Sequence, residues 1–162
     1  MVAIAAFVAA LVAPVCARAG SQMCHDVGTA VVVDTEGHWL VLCEDGQSVR
    51  VFHVSLGEGG LGKRRAGDGR TPLGTYALGQ PRPSRLYYLS LAVGYPTFAQ
   101  AREGYTGKGI MVHGPLRRYR KRNGPQTRLD WTRGCIALGT DAAVAAVADW
   151  VRDTKCRWIH IR

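Results

Sequence analysis

Turn residues set the terms on which this chain can fold. Glycine occurs 20 times and proline seven times in 162 residues, and both are costly inside helices. A helical bundle is therefore a poor host, and a compact fold with many turns a good one. At this length the chain makes one domain with a real core. The apolar stretches between turns agree. Residues 29–34 and 38–43, TAVVVD and HWLVLC, flank Glu36-Gly37 and read as a β-hairpin. SVRVFHVSL at 48–56 follows as a third strand with both faces partly covered, and LYYLSLAV as a strand between the turns at Pro83 and Pro96. GIMVHG is a strand that delivers His113 at its end, and IAL after Cys135 a short strand or turn. Thr140 can cap a helix over 141–152, where Val144, Val147, Ala148 and Val151 form one apolar stripe. CRWIHI closes as the last strand. The expected architecture is a single, mainly β domain with one clear helix. His53, Tyr87, Tyr88, Tyr95 and Phe98 read as core or edge packing, with substrate stacking as the other reading of the four aromatics and ligation as that of His53.

Two glycine motifs invite a cofactor reading. Gly57, Gly59 and Gly62 match the dinucleotide fingerprint, and Gly57 through Lys63 nearly match a phosphate-binding loop. Both need the glycines to open into a helix whose N-terminus holds phosphate. Gly67, Gly69, Pro72 and Gly74 follow instead, so residues 57–74 read as a long loop and no cofactor is expected. No H-E-x-x-H motif or short cysteine or histidine spacing points to zinc.

The formal charge of +9 calls for an anionic partner. Residues 1–13 are wholly apolar, and Ala17-Arg18-Ala19 offers a small-x-small pattern before Gly20. This reads as a secretory signal peptide, residues 1–19, because the run is too short to span a bilayer as a helix of about 20 residues. Cleavage would remove Arg18 and leave a charge of +8 on residues 20–162. An exported basic protein meets wall carboxylates rather than nucleic acid. Cys24, Cys43, Cys135 and Cys156 remain. If Cys135 stays a thiol, one disulfide can form; Cys24–Cys43 is favoured because both fall at one end of the first hairpin, with Cys43–Cys156 still open.

The stretch His113 to Cys135 holds the pairing suited to covalent chemistry. A thiol is a poor nucleophile and a thiolate a good one, so a working cysteine needs a base nearby or a positive field to lower its pKa from about 8.5. His113 could be the base and Arg133 part of the field. Gly114 and Gly134 permit close backbone approach, which would let N–H groups at the corner face an oxyanion. Between the pair lies a basic run, with Arg117, Arg118, Arg120, Lys121 and Arg122. It reads either as a solvated charge run or as a lid that binds carboxylates.

His113-Gly114, Thr132-Arg133-Gly134-Cys135-Ile136 and the upstream GDGRTPLGTYAL at 67–78 together resemble the L,D-transpeptidase catalytic domain family (YkuD-like), over about residues 28–162. The resemblance implies a mixed β-sandwich, with Cys135 as nucleophile and His113 as general base and acid. It further implies that the Gly114 carbonyl orients the histidine, so Asp130 need not be a third member, and that the N–H groups of Gly134 and Cys135 form the oxyanion hole. Thr132, Arg133, Arg117, Arg118 and Arg120 would shape the corner or bind substrate. The implied reaction is attack on a peptidoglycan tetrapeptide stem at meso-diaminopimelate, release of D-Ala, and transfer to an amine of another stem or of a lipoprotein lysine, in the periplasm or cell envelope. Two departures stand out: Arg133 where members commonly have His, and Ala137 where they commonly have Arg or Asn. The stretch 83–103 also resembles a branch that hydrolyses the peptidoglycan–lipoprotein bond. A wall-binding module without activity is the third reading.

Overall fold

The computed structural model describes residues 23–117 and 130–162. Nine strands and two helices follow in chain order among them: β1 Ala30–Asp34, β2 Trp39–Glu44, β3 Gln47–Ser55, β4 Gly74–Ala77, β5 Arg82–Ser84, β6 Tyr88–Ala92, α1 Phe98–Arg102, β7 Met111–His113, β8 Ile136–Leu138, α2 Asp141–Thr154 and β9 Trp158–Ile161. The protein is mainly β. The sheet order is β4-β9-β1-β2-β3-β8-β7-β6-β5, mixed because β1 with β9 and β7 with β8 run parallel.

The hairpin forms around the expected Glu36-Gly37 turn, with Val31 opposite Leu42 and Val33 opposite Leu40, and both its faces are buried. β3 then serves two partners. Its first part pairs β2 through His53, and its last residues pair β8, Val54 opposite Leu138 and Ser55 opposite Ala137. Here the sheet curls over itself. Val31, Leu40 and Ile159 from one half and Leu91, Val112 and Ile136 from the other enter a single buried core. That division also explains the exposure of β3. Val49 and Val51 are exposed where both faces were expected to be partly covered, and burial begins only at Val54.

The helix predicted over 141–152 is present as α2. Thr140 accepts a hydrogen bond from the Ala143 N–H at 3.0 Å, and Lys155 ends the helix in the left-handed region. Val144, Val147, Ala148 and Val151 are buried, and the helix packs on β6 and β8. The second helix, α1, was not expected; a Thr97–Gln100 capping box starts it, and none of its residues is buried.

Residues just before β1 cover the outer face of the hairpin. Cys24, Val27, Val32, Val41 and Cys43 cluster there, and Cys24 and Cys43 form a disulfide. Cys156 is a free thiol in the main core. Residues 1–19, read as a signal peptide, lie outside the described residues. Among the described residues no helix is long and apolar enough to cross a membrane.

Candidate active site

β7 and β8 bring the two chemical groups together. They are parallel neighbours, with Val112 opposite Ile136 and His113 opposite Ala137. Side chains alternate along a strand and paired residues face the same side. Extending the register by one residue sets Cys135 opposite Met111, so Cys135 and His113 are diagonal neighbours on one face.

His113 is 1% exposed. Its ring stacks on Tyr87, with centroids 3.8 Å apart, and meets the edge of Trp131 at 5.9 Å. Nδ1 lies 2.7 Å from the Gly114 carbonyl oxygen. A carbonyl only accepts, so Nδ1 carries the proton and Nε2 the lone pair. Burial pushes the histidine pKa down to about 4 against the opposing pull of the Gly114 hydrogen bond. At neutral pH the imidazole is uncharged and able to take a proton. Gly114 is packed tightly from behind: a Cβ there would meet the Tyr87 carbonyl oxygen and Val144 Cγ1, each at 2.8 Å.

The Cys135 corner is held by Thr132 and Gly134. Thr132 N–H donates to the Leu56 carbonyl at 3.1 Å, and its own carbonyl accepts from Glu58 N–H at 2.8 Å. The Thr132 hydroxyl oxygen accepts from Gly134 N–H at 3.1 Å and lies 2.7 Å from the Cys135 carbonyl oxygen, to which it donates. Gly134 has φ +110°, and a Cβ would sit 2.3 Å from the Arg70 carbonyl oxygen. Only glycine fits there. Asp130 enters from the same segment, but its carboxylate accepts Leu56 N–H at 2.7 Å and faces His38 Nε2 at 3.1 Å. It anchors the approach to the corner. Cys135 Sγ lies 3.6 Å from the Gly109 carbonyl oxygen. Burial pushes the thiol pKa up, while a backbone hydrogen bond at Met111 and the charge of Lys63 pull it down.

Cys135 and His113 open onto a cleft of about 880 Å³ lined also by Tyr87, Trp131, Lys63 and Lys108. Of the residues expected to bind substrate, Thr132 and Arg133 line this cleft. Arg117 is exposed, with its N–H on the Leu86 carbonyl at 2.9 Å, and is not part of the lining. Arg118 and Arg120 lie outside the described residues.

Sequence reasoning missed Lys63, Lys108 and Trp131 as parts of the site, and Tyr87, read first as packing, lines it too. Lys63 belongs to the glycine loop considered for phosphate. It is 4% exposed, and Nζ donates to Asp68 Oδ1 at 2.6 Å and to the Arg65 carbonyl at 2.9 Å. Burial by itself would raise the Asp68 pKa; the Lys63 bond and the N–H groups of Arg65, Arg64 and Arg70 outweigh it and hold the carboxyl well below the usual range. The glycines of this loop serve close backbone packing: a Cβ on Gly57 or Gly59 would meet the carbonyl oxygen of Gly69 or Asp68 at 2.2 Å. Among the described residues no group of three or more His, Cys, Asp or Glu gathers as a metal site would require.

The family model of the L,D-transpeptidase catalytic domain matches residues 28–160. The chain belongs to this family. YafK of Escherichia coli strain K12, provisionally named an L,D-transpeptidase, is 35% identical over 79 residues, which cover 47% of this chain and 32% of that protein. Among solved structures, a mutant of Pgp2, a helical cell shape determining protein from Campylobacter jejuni, is similar with TM-score 0.68 and 28% identity, covering 85% of this chain and 48% of that one. An L,D-transpeptidase from Mycobacterium smegmatis shares the fold, with TM-score 0.52 and 17% identity over 82% of this chain and 58% of that one. This L,D-transpeptidase-family chain thus spans about a third of YafK and about half of Pgp2.

Proposed function

We propose that the protein is a cysteine acyltransferase that remodels peptidoglycan stem peptides in the cell envelope. The observation that carries this reading is an uncharged His113, held by Nδ1–H to the Gly114 carbonyl, in one cleft with Cys135. Each of its features favours proton shuttling. As Sγ attacks the carbonyl of the L-centre of meso-diaminopimelate, Nε2 takes the thiol proton. It returns that proton to the departing D-Ala amine when the tetrahedral intermediate collapses to a thioester. An amine of a second stem, or of a lipoprotein lysine, then attacks the thioester carbonyl. Nε2 takes the amine proton and gives it to the leaving thiolate.

The Gly134 N–H is already given to Thr132. It would have to exchange that bond to face an oxyanion, so the reading puts the main oxyanion donation on the Cys135 N–H. The Cys24–Cys43 disulfide suits an oxidising compartment, in keeping with export to the periplasm through residues 1–19.

The test is mass spectrometry of the protein and its Cys135→Ala variant after incubation with disaccharide-tetrapeptide. The expected result is an acyl-enzyme on Cys135, loss of D-Ala and a cross-linked dimer, all absent in the variant. Folded protein with a free thiol that forms neither adduct nor product would sink the reading. One observation favours hydrolysis as a second reading: Tyr87, which stacks on His113, comes from the stretch that resembles the hydrolytic branch. Loss of D-Ala or release of lipoprotein without a cross-link would select it.

A further inference from the structure

Among the described residues that line the cleft, three are cations and none is an anion: Lys63, Lys108 and Arg133. They differ in what holds them. Lys63 is buried and matched by Asp68, so it stiffens the wall. Lys108 and Arg133 are exposed, and among the described residues neither makes an ion pair or side-chain hydrogen bond. An isolated surface cation is ordinarily just solvated. These two, however, share the cleft with the nucleophile. Asp130, upstream of Arg133, is turned to Leu56 N–H and His38 instead of the cleft. Asp130 is thus engaged elsewhere and does not neutralise this wall.

We propose that Lys108 and Arg133 select donor stem peptides with free carboxylates over stems in which those carboxylates are amidated. This deepens the acyltransferase reading and, for the substrate, rests on it. A carboxylate accepts charge-assisted hydrogen bonds from ammonium and guanidinium groups, whereas an amide offers a weaker neutral acceptor and donors of its own. The selection acts at an open, hydrated mouth, so salt screens it. The basic run at 117–122 is not needed for it.

Two reagents read the wall independently of any enzyme activity. Iodoacetate and iodoacetamide alkylate Cys135 by the same displacement, in which a carbon–sulfur bond forms and iodide leaves; they differ as carboxylate and amide. The ratio of their rates cancels changes in the thiol itself. In low salt the ratio for Cys135 should exceed that of free cysteine by about fivefold to tenfold. It should fall towards the free-cysteine value in Lys108→Gln/Arg133→Gln and in high salt. A wild-type ratio equal to that of free cysteine, or one unmoved by the double substitution, overturns the proposal.

The substrate arm uses tetrapeptide stems amidated at one carboxylate at a time. A drop in kcat/KM of about fivefold or more for one of them identifies the carboxylate recognised. Equal kcat/KM for all stems overturns the selection. If no stem is turned over while the alkylation ratio behaves as expected, the acyltransferase reading fails and the carboxylate-binding wall stands.

Discussion

His113 is uncharged at neutral pH because of what buries it. Tyr87 and Trp131 cover the ring, and this burial outweighs the upward pull of the Gly114 carbonyl on one nitrogen and leaves a neutral imidazole with a pKa of about 4. An unfolded histidine titrates near ~6.5. Below that value the unfolded chain binds a proton that the folded chain refuses, so this contribution to stability is complete above about pH 6.5 and is lost as pH falls towards 4. The expected loss is about 3 kcal/mol, read from urea unfolding at intervals between pH 7 and 4. His160, also lowered by burial, contributes in the same direction. His113→Gln should remove most of the slope; an unchanged slope would contradict the burial argument. At this scale the motif residues were legible because their chemistry is local: a histidine at a strand end, and a cysteine after a glycine that needs a positive φ. Lys63 and Trp131 were not, since only the sheet order and the folded loop bring them to the cleft.

Among elements, those with a strong pattern were readable from the chain and the patternless ones were not. The hairpin β1–β2 is two apolar runs around a glycine turn, and α2 carries a cap and a stripe. β5 is a three-residue strand containing Pro83 at the edge of the sheet, where a proline is tolerated and no alternation develops. α1 has five residues and buries none of them, so it leaves no apolar period. The segment before β1 also lacks a pattern and depends on its covalent tie to the hairpin. Cys24 and Cys43 close a loop with a sequence separation of 19, a span for which a disulfide contributes about 3 kcal/mol. The variant Cys24→Ala/Cys43→Ala should lose stability of that order in denaturant unfolding while Cys135 still alkylates in the folded protein. A loss of well under 1 kcal/mol would mean that the apolar contacts of Val27, Val32 and Val41 suffice.

For the molecule as a whole, β3 belongs to both halves of the sheet and one core lies between them. The hairpin half keeps a small outer cluster around Val27, Val32 and Val41, but the larger core is shared by both halves, which predicts a single cooperative transition. Near-ultraviolet and far-ultraviolet circular dichroism should coincide through urea unfolding; separated midpoints would show that the halves are independent. The strand order behind this was not legible, because the parallel neighbours β1 with β9 and β7 with β8 are joined by long stretches of chain. α2 shows the same coupling at closer range. Val144 is fully buried, yet it lies directly behind Gly114, the residue whose carbonyl orients His113. In a mutational screen scored only by the proposed activity, substitutions at Val144 would therefore surface among the hits, and a map of such hits would draw the proposed site as larger than the cleft onto which Cys135 and His113 open.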